Sequence, residues 1–242
     1  MELKATEVQL ASQVGKTSPE ILRRYQQNRN WRYFPKEWIY RNIPFHGKEV
    51  LDFGCGTGEI TTQLALLGAR KVYGMDVTQG LLDQTRRRAE YDGVTDKCEL
   101  ICGFVQDVEP RPVDVIIAFA VLHHCFPLEN VIPKLLRWLK PNGVFVAVEP
   151  VVYIQFLEWL RNRSGVERDP LDEGERKLNP DDLRYIIGHL SEAKVIPFRI
   201  LRRLSRLLPA ADPALCLVDR AILQVPGAWK LSGTALITGV RP

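Results

Sequence analysis

The chain has 242 residues, 45% of them hydrophobic and 26% charged, enough for one large α/β domain with its own core. A net charge of +4 is too mild to be a nucleic-acid footprint by itself. No run approaches the roughly 18 apolar residues a membrane-spanning helix needs, and residues 1–15 are mixed and polar without an apolar signal core, so a cytoplasmic location is expected. The five cysteines, Cys55, Cys98, Cys102, Cys125 and Cys216, are odd in number and scattered, which argues against a disulfide framework. Cys98 and Cys102 share one side of a predicted strand and read as buried thiols, and no Cys/His spacing suits a metal such as zinc.

In chain order, residues 1–47 form a separate helical block. Ser18-Pro19-Glu20 predicts a helix start, Ser as N-cap and Pro at the first helical position, running to about Asn28. Trp31, Tyr33, Phe34, Trp38, Tyr40 and Phe45 follow, interleaved with Arg23, Arg24, Arg29, Arg32, Lys36 and Arg41, until Pro44 and Gly47 close the block. From Lys48, short continuous apolar runs predict strands at 48–53, 71–75, 97–102, 113–119 and 143–149, with helices near 58–67, 79–91 and 130–140. This alternation predicts right-handed βαβ units in a doubly wound, mostly parallel α/β sheet. Lys140-Pro141-Asn142-Gly143 reads as a turn into the fifth strand. Beyond Pro150 the pattern gives a helix over 151–163, a charged loop over 164–178, a helix opened by Asn179-Pro180-Asp181-Asp182, a sixth strand at 194–200 and a seventh at 234–240. Neither internal repeats nor low-complexity segments are present.

Residues 50–60 read V-L-D-F-G-C-G-T-G-E-I. A buried strand enters a turn of three glycines, Gly54, Gly56 and Gly58, and a helix follows at once. Glycine permits positive φ and close approach of the backbone to a ligand, and the free N–H groups of the next helix face the same place. A dinucleotide fingerprint would need a glycine three residues after Gly56, where Glu59 stands. The G-x-G-x-G spacing preceded by Asp52 resembles motif I of the class I S-adenosylmethionine (SAM) methyltransferases. That resemblance implies that the Gly54, Cys55, Gly56 and Gly58 loop packs against the methionine part of SAM and that Asp52 lies near its amino acid group. It also implies a seven-stranded Rossmann-like sheet whose last strand inserts antiparallel between the fifth and sixth.

Asp76, 18 residues after Gly58, ends the second strand. An acid there accepts hydrogen bonds from ribose hydroxyls, or serves the N-terminus of the helix after Thr78. By the same resemblance Val77 packs against the nucleoside. After the third strand the family shows a Gly-Asp pair at adenine. This chain has Gly103-Phe104-Val105, with Asp107 further on, so either Phe104 and Val105 border the adenine or Asp107 replaces the acid. Residues 114–124, D-V-I-I-A-F-A-V-L-H-H, resemble motif IV with the L-H-H of many small-molecule members. They bring Phe119 and Ala120 to the pocket edge and His123 and His124 toward the acceptor. A histidine can take a proton from a hydroxyl; at most one of the two adjacent rings is expected to do so, with His124 slightly ahead. Glu149, ending the fifth strand, either faces the substrate or caps the following helix.

In this family the N-terminal block acts as a lid, and it joins insertions, here near 150–179 and 201–230, in shaping the acceptor pocket. Tyr25, Trp31, Tyr33 and Trp159 are the candidate walls, since rigid aromatics line apolar sites. The expected reaction is SAM-dependent methylation of a small hydrophobic or aromatic molecule at oxygen, releasing S-adenosylhomocysteine. The amino-adenine methylase signature is absent, so nucleic acid is disfavoured. Residues 198–208 put Leu201, Leu204 and Leu208 on one stripe and Arg199, Arg202, Arg203 and Arg206 on the other. Such a segment packs over the core, or touches an anionic membrane that presents a lipid- or quinone-like acceptor. The rivals are an NAD(P)-dependent oxidoreductase and a non-catalytic SAM-fold binding subunit.

Overall fold

The computed structural model describes residues 34–164, 176–201 and 209–242. Seven strands form one sheet: β1 Glu49–Phe53, β2 Lys71–Asp76, β3 Cys98–Cys102, β4 Val113–Phe119, β5 Leu139–Pro150, β6 Ser191–Phe198 and β7 Thr234–Val240. Their order is β3-β2-β1-β4-β5-β7-β6. β1 to β5 pair in parallel, and β7 runs antiparallel between β5 and β6. The doubly wound, mostly parallel sheet expected from the strand–helix alternation is therefore present, with its antiparallel seventh strand.

The helices are α1 Phe34–Asn42, α2 Glu59–Leu66, α3 Gln79–Tyr91, α4 Ile132–Leu136, α5 Gln155–Ser164, α6 Pro180–Ile187 and α7 Asp212–Ile222. Successive strand residues point to opposite faces, and this divides the core in two. Val50, Val72, Val115, Ile117, Val146 and Val148 pack with Ile39 of α1 and Ile60, Leu64 and Ala65 of α2. Leu51, Phe53, Ile116, Ala118, Phe145 and Ala147 pack with Leu122, Ile132 and Leu135, and with Leu183 and Ile186 of α6. Strands buried on both faces explain the continuous apolar runs.

Asn179 opens α6 as read: its side chain accepts from the Asp181 and Asp182 amides at 2.8 and 3.0 Å, and Asp182 accepts from the Asn179 amide at 2.8 Å. Such a reciprocal cap satisfies donors the helix leaves open. Several boundaries differ: the sixth strand is Ser191–Phe198 and not 194–200, and the helix after β5 is Gln155–Ser164 and not 151–163. Residues 140–143 are not a turn before β5 but a bulge within it: Val113 pairs with Leu139, and the register resumes at Val115 with Val144. Asn142 takes a φ of 61° there, and its amide bonds the Arg241 carbonyl at 3.1 Å, so a turn sequence is absorbed by pairing with the chain end. The helix expected over 130–140 shrinks to Ile132–Leu136 because β5 begins at Leu139.

Candidate functional site

All five parallel strands end at the same edge of the sheet, which gathers the loops after β1, β2, β3, β4 and β5. The loop after β1 is held tightly. The amides of Gly54 and Cys55 both bond the Met75 carbonyl at 2.9 Å. Gly54, Gly56 and Gly58 have φ of 70°, 53° and 78°, a region that favours glycine. The space around them differs. A Cβ on Gly58 would lie 2.4 Å from Thr85 Cγ2, whereas one on Gly56 would meet nothing within 4 Å. Gly56 therefore presents open backbone to the strand-end crevice, a cradle of the kind a ligand's chain can lie against.

Asp76 ties the second strand to this loop. Its Oδ2 accepts from the Gly56 amide and its Oδ1 from the Thr78 amide, each at 2.9 Å. The two readings of this acid thus coexist in part: it serves the start of α3, and each oxygen keeps an unused lone pair. Val77 beside it is half-buried. After β3, Phe104 is half-buried and Val105 is sunk in the core with Phe53, Met75 and Leu122, while Asp107 is exposed and its amide closes a turn on the Phe104 carbonyl at 2.9 Å.

Asp52 precedes this loop on β1. Strand alternation puts it with Val50 on the α2 face, 1% exposed, accepting from the Thr61 hydroxyl at 2.6 Å. Burial pushes its carboxyl up to about 7, with the Thr61 bond opposing and the nearby Asp76 charge assisting. Burial likewise holds the Cys55 thiol well above its ordinary range, as suits a packing group. Of the other cysteines, Cys98 is half-buried but Cys102 is exposed; the expectation of two buried thiols fails at Cys102 because β3 is the sheet's edge strand.

The Asp52 shift has a stability consequence. An Asp in the unfolded chain titrates near 4, so between about pH 4 and 7 the folded state holds a proton the unfolded state has lost. The contribution is fully present below pH 4 and is lost as pH rises to 7, by on the order of a few kcal/mol. Asp52→Asn, whose carbonyl can still accept from Thr61, is expected to flatten the pH dependence of unfolding over that range. Parallel slopes for both proteins in urea melts would contradict this.

After β4 the chain turns sharply. Ala120 has a φ of 55°, is exposed, and its amide bonds the Val148 carbonyl at 2.8 Å. A short 3-10 turn, Leu122–His124, follows. His123 is buried and His124 exposed, their ring centroids 3.9 Å apart. Glu149, fully buried, does not reach outward to a substrate and does not cap α5. Its Oε1 accepts from the Val121 and Leu122 amides at 2.9 and 2.8 Å; its Oε2 lies 2.8 Å from His123 Nδ1 and accepts, more loosely, from the His123 amide at 3.4 Å. Of the candidate pocket walls, Tyr25, Trp31 and Tyr33 lie outside the described residues. Trp159 is 53% exposed and stacks on Phe156 with centroids 5.9 Å apart. Most of the segment 198–208 is likewise outside the described residues, and no helix among them is long and apolar enough to cross a membrane.

The sequence of residues 50–143 matches the family model described as a methyltransferase domain. Over that stretch, which is less than half of the chain, the sequence is similar to methyltransferase domains. Curated relatives agree over similar stretches: a protein arginine N-methyltransferase of rice (Oryza sativa subsp. japonica) is 40% identical over 113 residues, covering 44% of this chain and 29% of the rice protein. A ribosomal protein L11 methyltransferase of Haemophilus influenzae is 33% identical over 109 residues, 44% of this chain and 34% of that protein. Protein arginine N-methyltransferase 6 of Danio rerio is 34% identical over 177 residues, 62% and 50%. The chain thus spans half or less of these relatives' lengths. Among solved structures, the geranyl diphosphate C-methyltransferase of Streptomyces coelicolor has a TM-score of 0.61 at 15% identity, covering 86% of this chain and 77% of that one. The cyclase SpnF has a TM-score of 0.61 at 21% identity, covering 87% and 80%. At such identities the likeness is one of fold.

Three groups around the glycine loop carry no sequence motif. Thr61 of α2 bonds Asp52. Thr85 of α3 donates to the Gly56 carbonyl at 2.9 Å. Lys36 of α1 pairs with Glu59 and stands 5.7 Å from the Phe119 ring centroid, which lays the described end of the N-terminal block over the start of α2 and the end of β4. Helical spacing signals Thr61 and Thr85 only once their helices are docked.

Proposed function

We propose that the chain is a SAM-dependent methyltransferase acting on a small hydrophobic or aromatic molecule, with transfer to oxygen. The observation that carries this reading is the shared strand edge: Gly56 offers open backbone, Asp76 keeps acceptor capacity beside it, and His123 stands after β4 on the same edge. The residues fit SAM's parts. The loop backbone suits an amino acid chain, Asp76 suits ribose hydroxyls, and Val77 and Phe104 suit a flat apolar base.

When bound, SAM supplies an electrophilic methyl on a sulfonium whose departure leaves a neutral thioether. The protein's part is then to hold the acceptor in line, the chief source of acceleration in such a transfer, and to receive the proton. His123 Nε2 takes the acceptor's hydroxyl proton as the oxygen gains the methyl, and passes it to solvent. His123 is preferred to His124 because Glu149 fixes its ring from behind, whereas His124 is exposed.

The relatives' names include protein acceptors, but the family match ends at residue 143. The segments expected to shape the acceptor pocket, 1–47, 150–179 and 201–230, lie outside it, so the acceptor class is read from parts the family match does not cover. An acceptor held at a membrane surface by 198–208 is the second form of the same reading. Isothermal calorimetry and thermal shift with SAM, S-adenosylhomocysteine and NADPH should show binding of the first two and none of NADPH. NADPH binding without SAM binding would replace this reading with an oxidoreductase. Transfer of labelled methyl from SAM into polypeptide and not into the organic-soluble fraction of a cell extract would move the acceptor to protein. SAM binding with no labelled product in either fraction would favour a non-catalytic subunit.

A further inference from the structure

Glu149 is the most heavily engaged buried carboxylate at the strand edge. It is 0% exposed, lies on β5, and reaches across to the loop that follows its parallel neighbour β4. One oxygen is shared by the Val121 and Leu122 amides, and the other faces His123 Nδ1 at 2.8 Å. A buried carboxylate left unpaired would be costly, so its four donors are a condition of its presence there. The imidazole is the one donor of the set that has a choice, because it can carry its proton on either nitrogen. A neutral ring that donates from Nδ1 to the carboxylate leaves Nε2 without a proton. Nε2 has no hydrogen-bond partner among the described residues, which leaves it available as an acceptor.

We propose that Glu149 is a positioning residue: it holds His123 in the Nδ1–H tautomer, with a bare Nε2 ready to receive the acceptor's proton, while its other oxygen fixes the loop that carries the ring. The inference rests on the reading of His123 as the proton acceptor. The arrangement follows the same logic by which a buried acid selects the tautomer of a catalytic histidine in hydrolases, built here from a strand end and a 3-10 turn. Because the Val121 and Leu122 amides both need one acceptor oxygen, Glu149→Gln is constrained. Its carbonyl oxygen stays with those amides, and its NH2 group then faces Nδ1, which must become the acceptor and pass the proton to Nε2.

The test is nitrogen-detected two-dimensional NMR of 15N-histidine-labelled protein at mildly alkaline pH, with SAM calorimetry on the same samples. In the wild type, His123 should show a pyrrole-type Nδ1 and a pyridine-type Nε2; in Glu149→Gln the two signals should exchange types with SAM affinity within about twofold. A wild-type His123 that averages both tautomers, or carries its proton on Nε2, overturns the proposal even if Glu149→Gln does not fold. An unchanged tautomer in a folded Glu149→Gln also overturns it. His123→Asn, which keeps an N–H donor toward Glu149 and identifies the His123 signals by their loss, guards the assignment. Failure of the wild type to bind SAM would sink the proposed function while leaving the tautomer result to stand or fall by itself.

Discussion

Gly54→Ala is expected to destabilise the protein by about 3 kcal/mol, the sum of a positive φ imposed on a residue with a side chain and of overpacking. Gly54 has a φ of 70°, and a Cβ there would lie 2.2 Å from Val121 Cγ2 and 2.6 Å from its Cβ, a distance no rotamer change of Val121 relieves. Val121 itself is held by Glu149 through its amide, so the loop cannot retreat without breaking that bond. At roughly 2–4 °C per kcal/mol for a chain of this size, the melting temperature should fall by about 10 °C. Gly56→Ala is the control: its φ is 53° but nothing lies within 4 Å of the added Cβ. It should cost only about 1 kcal/mol of stability and act instead on SAM affinity, since the added methyl enters the open side of the loop. Equal melting temperatures for Gly54→Ala and Gly56→Ala would show that the contact with Val121 does not constrain the loop.

The second large effect falls on Asp76. Asp76→Ala should weaken SAM binding by about 1–3 kcal/mol, the cost of leaving polar groups unpaired, or roughly fivefold to 150-fold in Kd. Two losses add: the ribose hydroxyls lose their acceptor, and the amides of Gly56 and Thr78 lose theirs, which frees the loop backbone that SAM's chain would lie against. Asp76→Asn separates them. Its single carbonyl oxygen can keep one of the two amides, so its affinity should fall between wild type and Asp76→Ala. Calorimetry that finds wild-type SAM affinity for Asp76→Ala would count against both the ribose contact and the loop's part in binding.

Much of this was legible in short-range pattern. Continuous apolar runs gave the buried strands, and glycines spaced within a few residues gave the loop, because backbone conformation and strand alternation depend on immediate neighbours. The capping role of Asn179 was readable for the same reason. Alternation also contained the placement of Asp52 on the face of Val50, where Thr61 of α2 bonds it.

What only the tertiary structure decided involves residues far apart in the chain. Glu149 and His123 meet because β4 and β5 pair in parallel with Phe119 opposite Val148, which brings one strand's end against the turn after its neighbour. Nothing within a few residues of either side chain announces that contact. Cys102 is exposed because β3 is the last strand of the sheet, a fact of strand order. The sequence by itself determined the strand–helix alternation and the glycine loop; the register between strands determined which acid holds which histidine, since hydrogen bonds across a sheet are set by pairing and not by proximity in the chain.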